Sequence, residues 1–193
     1  MDRSAVSDAD LATAAAGGDE RAFTELMRRH KEPLYRFVRR SAPSPDDAYD
    51  IVQEAFVAAW RALDRYDARR PFTTWLFHIA VNKTRDHARK RAVRRFFHGA
   101  ASLDAPDRPD PADGRADIAG MHERRDELAR LSRLIDALPE RLRLAFTLQV
   151  LEELPQSEVA QILGISVKAV ETRVYRARRL LAERLDAETG PPD

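Results

Sequence analysis

The chain has no cysteine. That excludes a disulfide framework and any thiolate metal site. Only seven glycines occur in 193 residues, and none sits in a glycine-rich phosphate loop. No apolar run approaches the ~18–20 residues that span a bilayer, so no membrane insertion is expected. The opening stretch, MDRSAVSDADLATAAAGGDE, is acidic and has no basic region before an apolar core. No signal peptide is therefore read there, and a cytoplasmic location is expected. The five histidines (30, 78, 87, 98 and 122) are scattered, and His78 and His87 are not at the i, i+4 spacing of a helical metal pair. With no nucleophile elbow either, no enzymatic activity, catalytic residue, metal or cofactor is expected. Net charge is only +1. The total does not point to nucleic acid; the distribution of charge does.

What is present is helix-forming sequence. Hydrophobic residues make up 44% and charged residues 34%, with Ala, Leu, Arg and Glu in runs of helical period. This predicts an all-α protein of two small helical domains. Residues 1–98 form the first, 99–122 an acidic flexible linker, 123–186 the second, and 187–193 a frayed tail. The linker reads GAASLDAPDRPDPADGRADIAG, with its last glycine at 120. Its aspartates, prolines and glycines are too polar and too broken to pack a core.

In the first domain, Ser7 or Asp8 is expected to cap a helix over 9–16. A second helix is expected over 20–40, kinked or broken at Pro33. Ser44 or Asp46 then caps a helix over 47–63, with Ile51, Val52, Ala55, Phe56, Ala59, Trp60 and Leu63 along one stripe. Asp46, Asp47 and Asp50 suit the helix dipole at an N-terminus. Gln53 and Glu54 lie too far in for that, so an acidic face aimed at a protein partner is inferred. A loop over 64–70 precedes a helix starting near Pro71 or Phe72. Its first half is aromatic (Phe72, Trp75, Phe77). Its second half carries Lys83, Arg85, Arg89, Lys90, Arg91, Arg94 and Arg95 against the single acid Asp86. Aromatics for stacking beside cations for phosphate suit single-stranded nucleic acid. The same aromatics are equally well read as core.

In the second domain, helix resumes near Asp117, ends at Pro139, and a further helix carries Leu142 to Leu151. PQSEVAQILGISVKAVETRVYRARRLL follows, Pro155 to Leu181. A small residue (Ala160), a glycine four on (Gly164) and a β-branched residue six beyond that (Val170) have helix-turn-helix spacing. Gly164 suits a left-handed helix end and Ser166 an N-cap. The second helix keeps Val170, Val174, Ala177 and Leu181 on one face, and Lys168, Arg173, Arg176, Arg178 and Arg179 on the other.

Three stretches together resemble the sigma-70 family of bacterial RNA polymerase sigma factors, in the small group IV or extracytoplasmic-function (ECF) class. GDERAFTELMRRH, DIVQEAFVAAWRAL and FTTWLFHIAVNKTRDHARKR are similar to its region 2, and LPERLRLAFTLQVLEELPQSEVAQILGISVKAVETRVYRARRLL to its region 4. The resemblance implies a promoter-specificity subunit of core RNA polymerase. It implies that Asp50, Gln53, Glu54 and Trp60 meet the β′ coiled coil. Phe72, Trp75, Asn82, Lys83 and Arg85 would meet the −10 element as single strand, with the 64–70 loop shaping a pocket for a flipped base. Lys168, Glu171, Thr172, Tyr175 and Arg176 would read bases of the −35 duplex, and Arg173, Arg178 and Arg179 would hold its phosphates. The helix over 142–154 would meet the β-flap. An anti-sigma factor is implied as antagonist. Asp104, Asp107, Asp110 and Asp113 of the linker would thread toward the RNA exit path. Glu171 departs from the family pattern, which favours a cation there. It either accepts from a cytosine amino group or pairs internally with Lys168 or Arg178. The alternative reading of the whole chain is a stand-alone helix-turn-helix regulator, which leaves the acidic face and the aromatic-basic helix without a role.

Overall fold

The computed structural model describes residue 3 and residues 5–97 and 120–189. Every regular element among them is helical. The linker aspartates fall outside the described residues.

Helix α1 (Asp8–Ala16) starts at Ser7, whose hydroxyl accepts from Asp10 N–H at 3.1 Å. Helix α2 (Glu20–Arg39) starts at Asp19, which accepts from the N–H groups of Arg21 and Ala22. Of the kink or break expected at Pro33, the break does not occur: α2 continues through it. Proline forfeits one backbone bond, but Leu26 and His30 before it and Leu34, Phe37 and Val38 after it are all buried. Packing on both sides outweighs the local penalty. Ser44 caps α3 (Pro45–Arg61), accepting from Asp47 N–H at 3.1 Å, with Pro45 in the first turn. A single 3₁₀ turn (Leu63–Arg65) leads to the loop before α4 (Phe72–Phe97).

Helices α1 to α4 enclose one core built on Leu11, Leu26, Phe37, Ile51, Leu76 and Phe77, each at most 2% exposed. A fully buried side chain of this size contributes about 1.5–3 kcal/mol. A polar clasp ties α1 to α2. Arg29 donates from Nη1 to Val6 O and Asp8 Oδ1, and from Nη2 to Arg3 O, at 2.7–2.8 Å. His30 Nε2 meets the other Asp8 oxygen at 2.6 Å.

Helix α5 (Gly120–Asp136) begins within three residues of the expected Asp117. Helix α6 (Glu140–Phe146) follows Pro139 and widens into a π-helical turn, Thr147–Leu151. There Glu152 N–H reaches Thr147 O at 3.0 Å, the i→i+5 bond of that geometry. No glycine or proline announces it. Helix α7 (Gln156–Leu163) ends at Gly164, with φ +66° and ψ +41°. Ile165 N–H returns to Ala160 O at 3.0 Å, closing the helix end. Ser166 Oγ accepts from Ala169 N–H at 3.2 Å and starts α8 (Val167–Thr189), which is still helical over 187–189, the start of the tail expected to fray. Val159, Ile162, Val170, Val174, Ala177 and Leu181 form the centre of this second core.

The two cores meet where α4 crosses α7. Thr74 donates its hydroxyl proton to Glu158, and His78 Nδ1 donates to Ile162 O at 3.0 Å. Arg40 reaches Asp136 at 3.3 Å, and Arg36 reaches Glu152 at 3.6 Å. Among the described residues no helix is long and apolar enough to cross a membrane, and no group of His, Asp and Glu could hold a metal ion.

Candidate nucleic-acid interface

Helix α8 buries Val170, Val174, Ala177 and Leu181. The opposite face therefore presents Lys168, Thr172, Tyr175, Arg176 and Arg179 to solvent, with Glu171 and Arg178 along one flank. Tyr175 is 65% exposed, unusual for an aromatic side chain that no interface covers. Arg173 is half-buried on the other flank. Thr172 donates its hydroxyl proton to Lys168 O at 2.8 Å. Arg179 pairs with Glu183 at 3.1 Å. Of the two internal partners expected for Glu171, Lys168 holds it, Nζ to Oε2 at 2.9 Å. A groove of about 370 Å³ runs beside this flank, lined by Gln149, Gln156, Lys168, Glu171, Tyr175 and Arg178. Gln149 lies on the π turn and Gln156 opens α7, so the groove joins three elements. A helix with an exposed cationic face has the shape and donors that a DNA major groove accepts.

The expected −10 residues do not share one face. Helix α4 buries Phe72, Leu76, Phe77, Ala80, Val81 and Thr84. Trp75, His78, Asn82 and Arg85 follow at spacings of three and four on the outward side. Phe72 is 2% exposed, with its ring among His30, Tyr66 and Trp75 at 5.3–5.6 Å between centroids. It offers no free face for a base; it supports Trp75 and Tyr66, which are half-buried. Phe77 is core as well, against Phe37 at 5.2 Å. Lys83 turns toward α3 and pairs with Glu54 at 3.6 Å. Residues passed over in the sequence complete the outward face. His78 Nε2 accepts from Asn82 Nδ2 at 3.1 Å, and the i, i+4 spacing of the two is the signal that marks it. The 64–70 loop is held by Tyr66, whose hydroxyl donates to Arg70 O at 2.6 Å. Asp67 accepts from the backbone and guanidinium of Arg69, which hold its carboxyl down at about 2.

On α3, Asp50, Gln53 and Glu54 are exposed, and Val57 (49%) and Trp60 (37%) continue their stripe. Trp60 leans on Phe23 at 4.9 Å. A carboxylate and amide rim beside two exposed apolar side chains carries no cation for a phosphate backbone. Asp46 and Asp47 belong to the helix start. Asp47 also meets His87 Nε2 at 3.2 Å.

Two family models match. Sigma-70 region 2 covers residues 26–94, and Sigma-70 region 4 covers residues 128–181. The chain is 42% identical over 192 residues to RNA polymerase sigma factor CnrH of Cupriavidus metallidurans, covering 94% of this chain and 97% of that one. It is 33% identical over 185 residues to the ECF RNA polymerase sigma-E factor of Escherichia coli, covering 93% and 95%. The solved structure of CnrH in complex with the cytosolic domain of CnrY superposes with a TM-score of 0.69 at 37% identity, over 93% of this chain and 97% of that one. The sigma factor RpoE of Bartonella quintana, solved with the anti-sigma factor NepR, gives a TM-score of 0.70 at 24% identity over 84% and 96%, a likeness of fold. A region 2 bundle, a region 4 helix-turn-helix and near-full-length similarity to ECF sigma factors lead to one conclusion: the chain belongs to the ECF (group IV) class of the sigma-70 family and, with no enzymatic activity of its own, directs transcription initiation through core RNA polymerase and promoter recognition.

Proposed function

We propose that this sigma factor divides its work between four surfaces. The α3 face of Asp50, Gln53, Glu54, Val57 and Trp60 docks on the β′ coiled coil of core polymerase, and the α6–π segment contacts the β-flap. The outward face of α4, with Trp75, Asn82 and Arg85, holds the −10 element as single strand, and Tyr66 and the 64–70 loop wall a pocket for one flipped base. Lys83 serves that face through its pair with Glu54, and Phe72 serves it from below. The exposed face of α8 reads the −35 duplex: Lys168, Thr172, Tyr175 and Arg176 toward bases, Arg173, Arg178 and Arg179 toward phosphates. The observation that carries this reading is the separation of charge. An acidic-apolar face on α3 and a cationic face on α8 lie on different bundles, so one molecule meets protein and DNA at once. A stand-alone regulator has no use for the first.

A soluble anti-sigma segment is the expected antagonist. The CnrH structure, solved with the cytosolic domain of CnrY, supports that partner class, and the α3 face is the surface it would cover. Run-off transcription with core polymerase is the test. Adding the chain should give promoter-dependent initiation whose template affinity falls steeply with salt. No promoter-dependent product would sink the proposal. Neutralising Asp50 and Glu54 together should weaken core binding and leave the isolated fold intact.

A further inference from the structure

The Lys168–Glu171 pair has a geometry that fits one base pair. Lys168 sits in the first turn of α8, where a cation opposes the helix dipole. Glu171, one turn on, holds it with Nζ and Oε2 2.9 Å apart. Both side chains are largely exposed, at 81% and 54%, and both border the groove beside the recognition face. The pair therefore offers a donor and an acceptor side by side, each with further hydrogen-bonding capacity: the ammonium has three protons and the carboxylate several lone pairs. In the major groove a G·C pair presents the complement. Guanine O6 accepts, cytosine N4–H₂ donates, and the two are themselves hydrogen-bonded partners ~2.9 Å apart.

We propose that Lys168 and Glu171 act as one unit that selects a G·C pair, in one orientation, within the −35 element. Lys168 donates to guanine O6 and N7, and Glu171 accepts from the N4 amino group of the paired cytosine. Reversing the pair sets the ammonium against the amino group and the carboxylate against O6 and N7. An A·T pair turned to give Lys168 thymine O4 also offers adenine N6–H₂ to Glu171; what tells it apart is the thymine methyl, which stands in place of guanine N7, the second acceptor for Lys168, and adenine N7, which adds an acceptor beside the carboxylate. Glu171 is thus both a reader and the residue that positions Lys168. The inference rests on the proposed −35 role of α8.

The test is in vitro transcription by the full chain with core polymerase on a template library carrying all four base pairs at each −35 position. Wild type should prefer G·C over C·G about tenfold or more at one position. Glu171→Gln, whose amide also donates, should flatten preference there and nowhere else. Lys168→Ala, Glu171→Ala and the double variant should lose that preference to the same extent, because two residues acting as a unit are not additive. If Glu171→Ala instead raises output on every template and keeps the base preference, the carboxylate merely repels DNA and the inference is overturned. A wild-type chain with no −35 preference at all would overturn the parent reading and the inference with it.

Discussion

Acid acts on individual carboxylates of this protein in opposite directions. Glu25 accepts from Arg28 and Arg29, which lower its pKa from the ordinary 4.5 to about 2. A depressed folded value means that its stabilisation is complete above pH 4.5 and is lost as pH falls toward 2. Glu152 is pushed up by burial, only partly offset by Arg36. Its folded form prefers the proton, so the penalty for its charge is absent below pH 4.5 and sets in as pH rises through the shifted value. Glu25→Gln should therefore lower the melting temperature at pH 7, with the difference from wild type vanishing near pH 2. Glu152→Gln should raise it at pH 7, with the gain shrinking as pH falls toward 4.5 and gone below it. Thermal melts of the three proteins across that range check both signs; parallel curves would refute them. Phe77→Ala, at a site 1% exposed, should cost about 3–5 kcal/mol. It would melt the first bundle and, with it, α4.

Among the elements, the turn between α7 and α8 depends on one backbone conformation. A methyl group at Gly164 meets no atom within 4 Å, so Gly164→Ala is penalised by its left-handed φ alone, about 1–2 kcal/mol. Denaturant unfolding should register that loss, and −35 recognition should weaken with it because α8 hangs from the turn. A cost under about 0.3 kcal/mol would mean the turn relaxes. Ser44→Ala should cost about 1 kcal/mol through its lost cap on α3. Both signals stand in the sequence as single residues at known offsets. Pro33 is the opposite case. Its local signal is a kink or a break, yet α2 runs through it, because proline's penalty of about 3 kcal/mol counts for less than a buried face. The π turn after α6 carries no local signal, since what sets it is the fit of Thr147 and Leu148 into the second core.

At the scale of the whole molecule, the contact between bundles is charge-complementary. Arg36 and Arg40 come from the first, Asp136, Glu152 and Glu158 from the second. His78, on the outward face of α4, is occupied by the Ile162 carbonyl. Raising salt should loosen this contact by screening, and Glu158→Arg should do so at low salt by removing the acceptor of Thr74. Small-angle scattering would show an increased radius of gyration in both cases. An unchanged radius would place the hold elsewhere.

The sequence by itself determined the all-α class, the two helical units, the cap at Ser166 and the Gly164 turn, and it narrowed two further caps to Ser7 or Asp8 and Ser44 or Asp46. Each rests on periodicity or on a residue acting within a few positions of itself, and short-range physics is written locally. It also marked α3 and α8 as the candidate contact faces, and most of the residues it marked there are exposed. Only the tertiary structure decided which aromatic is a surface and which a support. Phe72 and Trp75 lie one turn apart with similar side chains, and it is the positions of His30 and Tyr66, distant in the chain, that bury one and leave the other half open. It alone turned Lys83 toward Glu54 and gave Glu171 to Lys168. Side-chain pairing depends on which neighbour stands within reach; spacing along a helix offered Glu171 both Lys168 and Arg178, and only the packed structure chose.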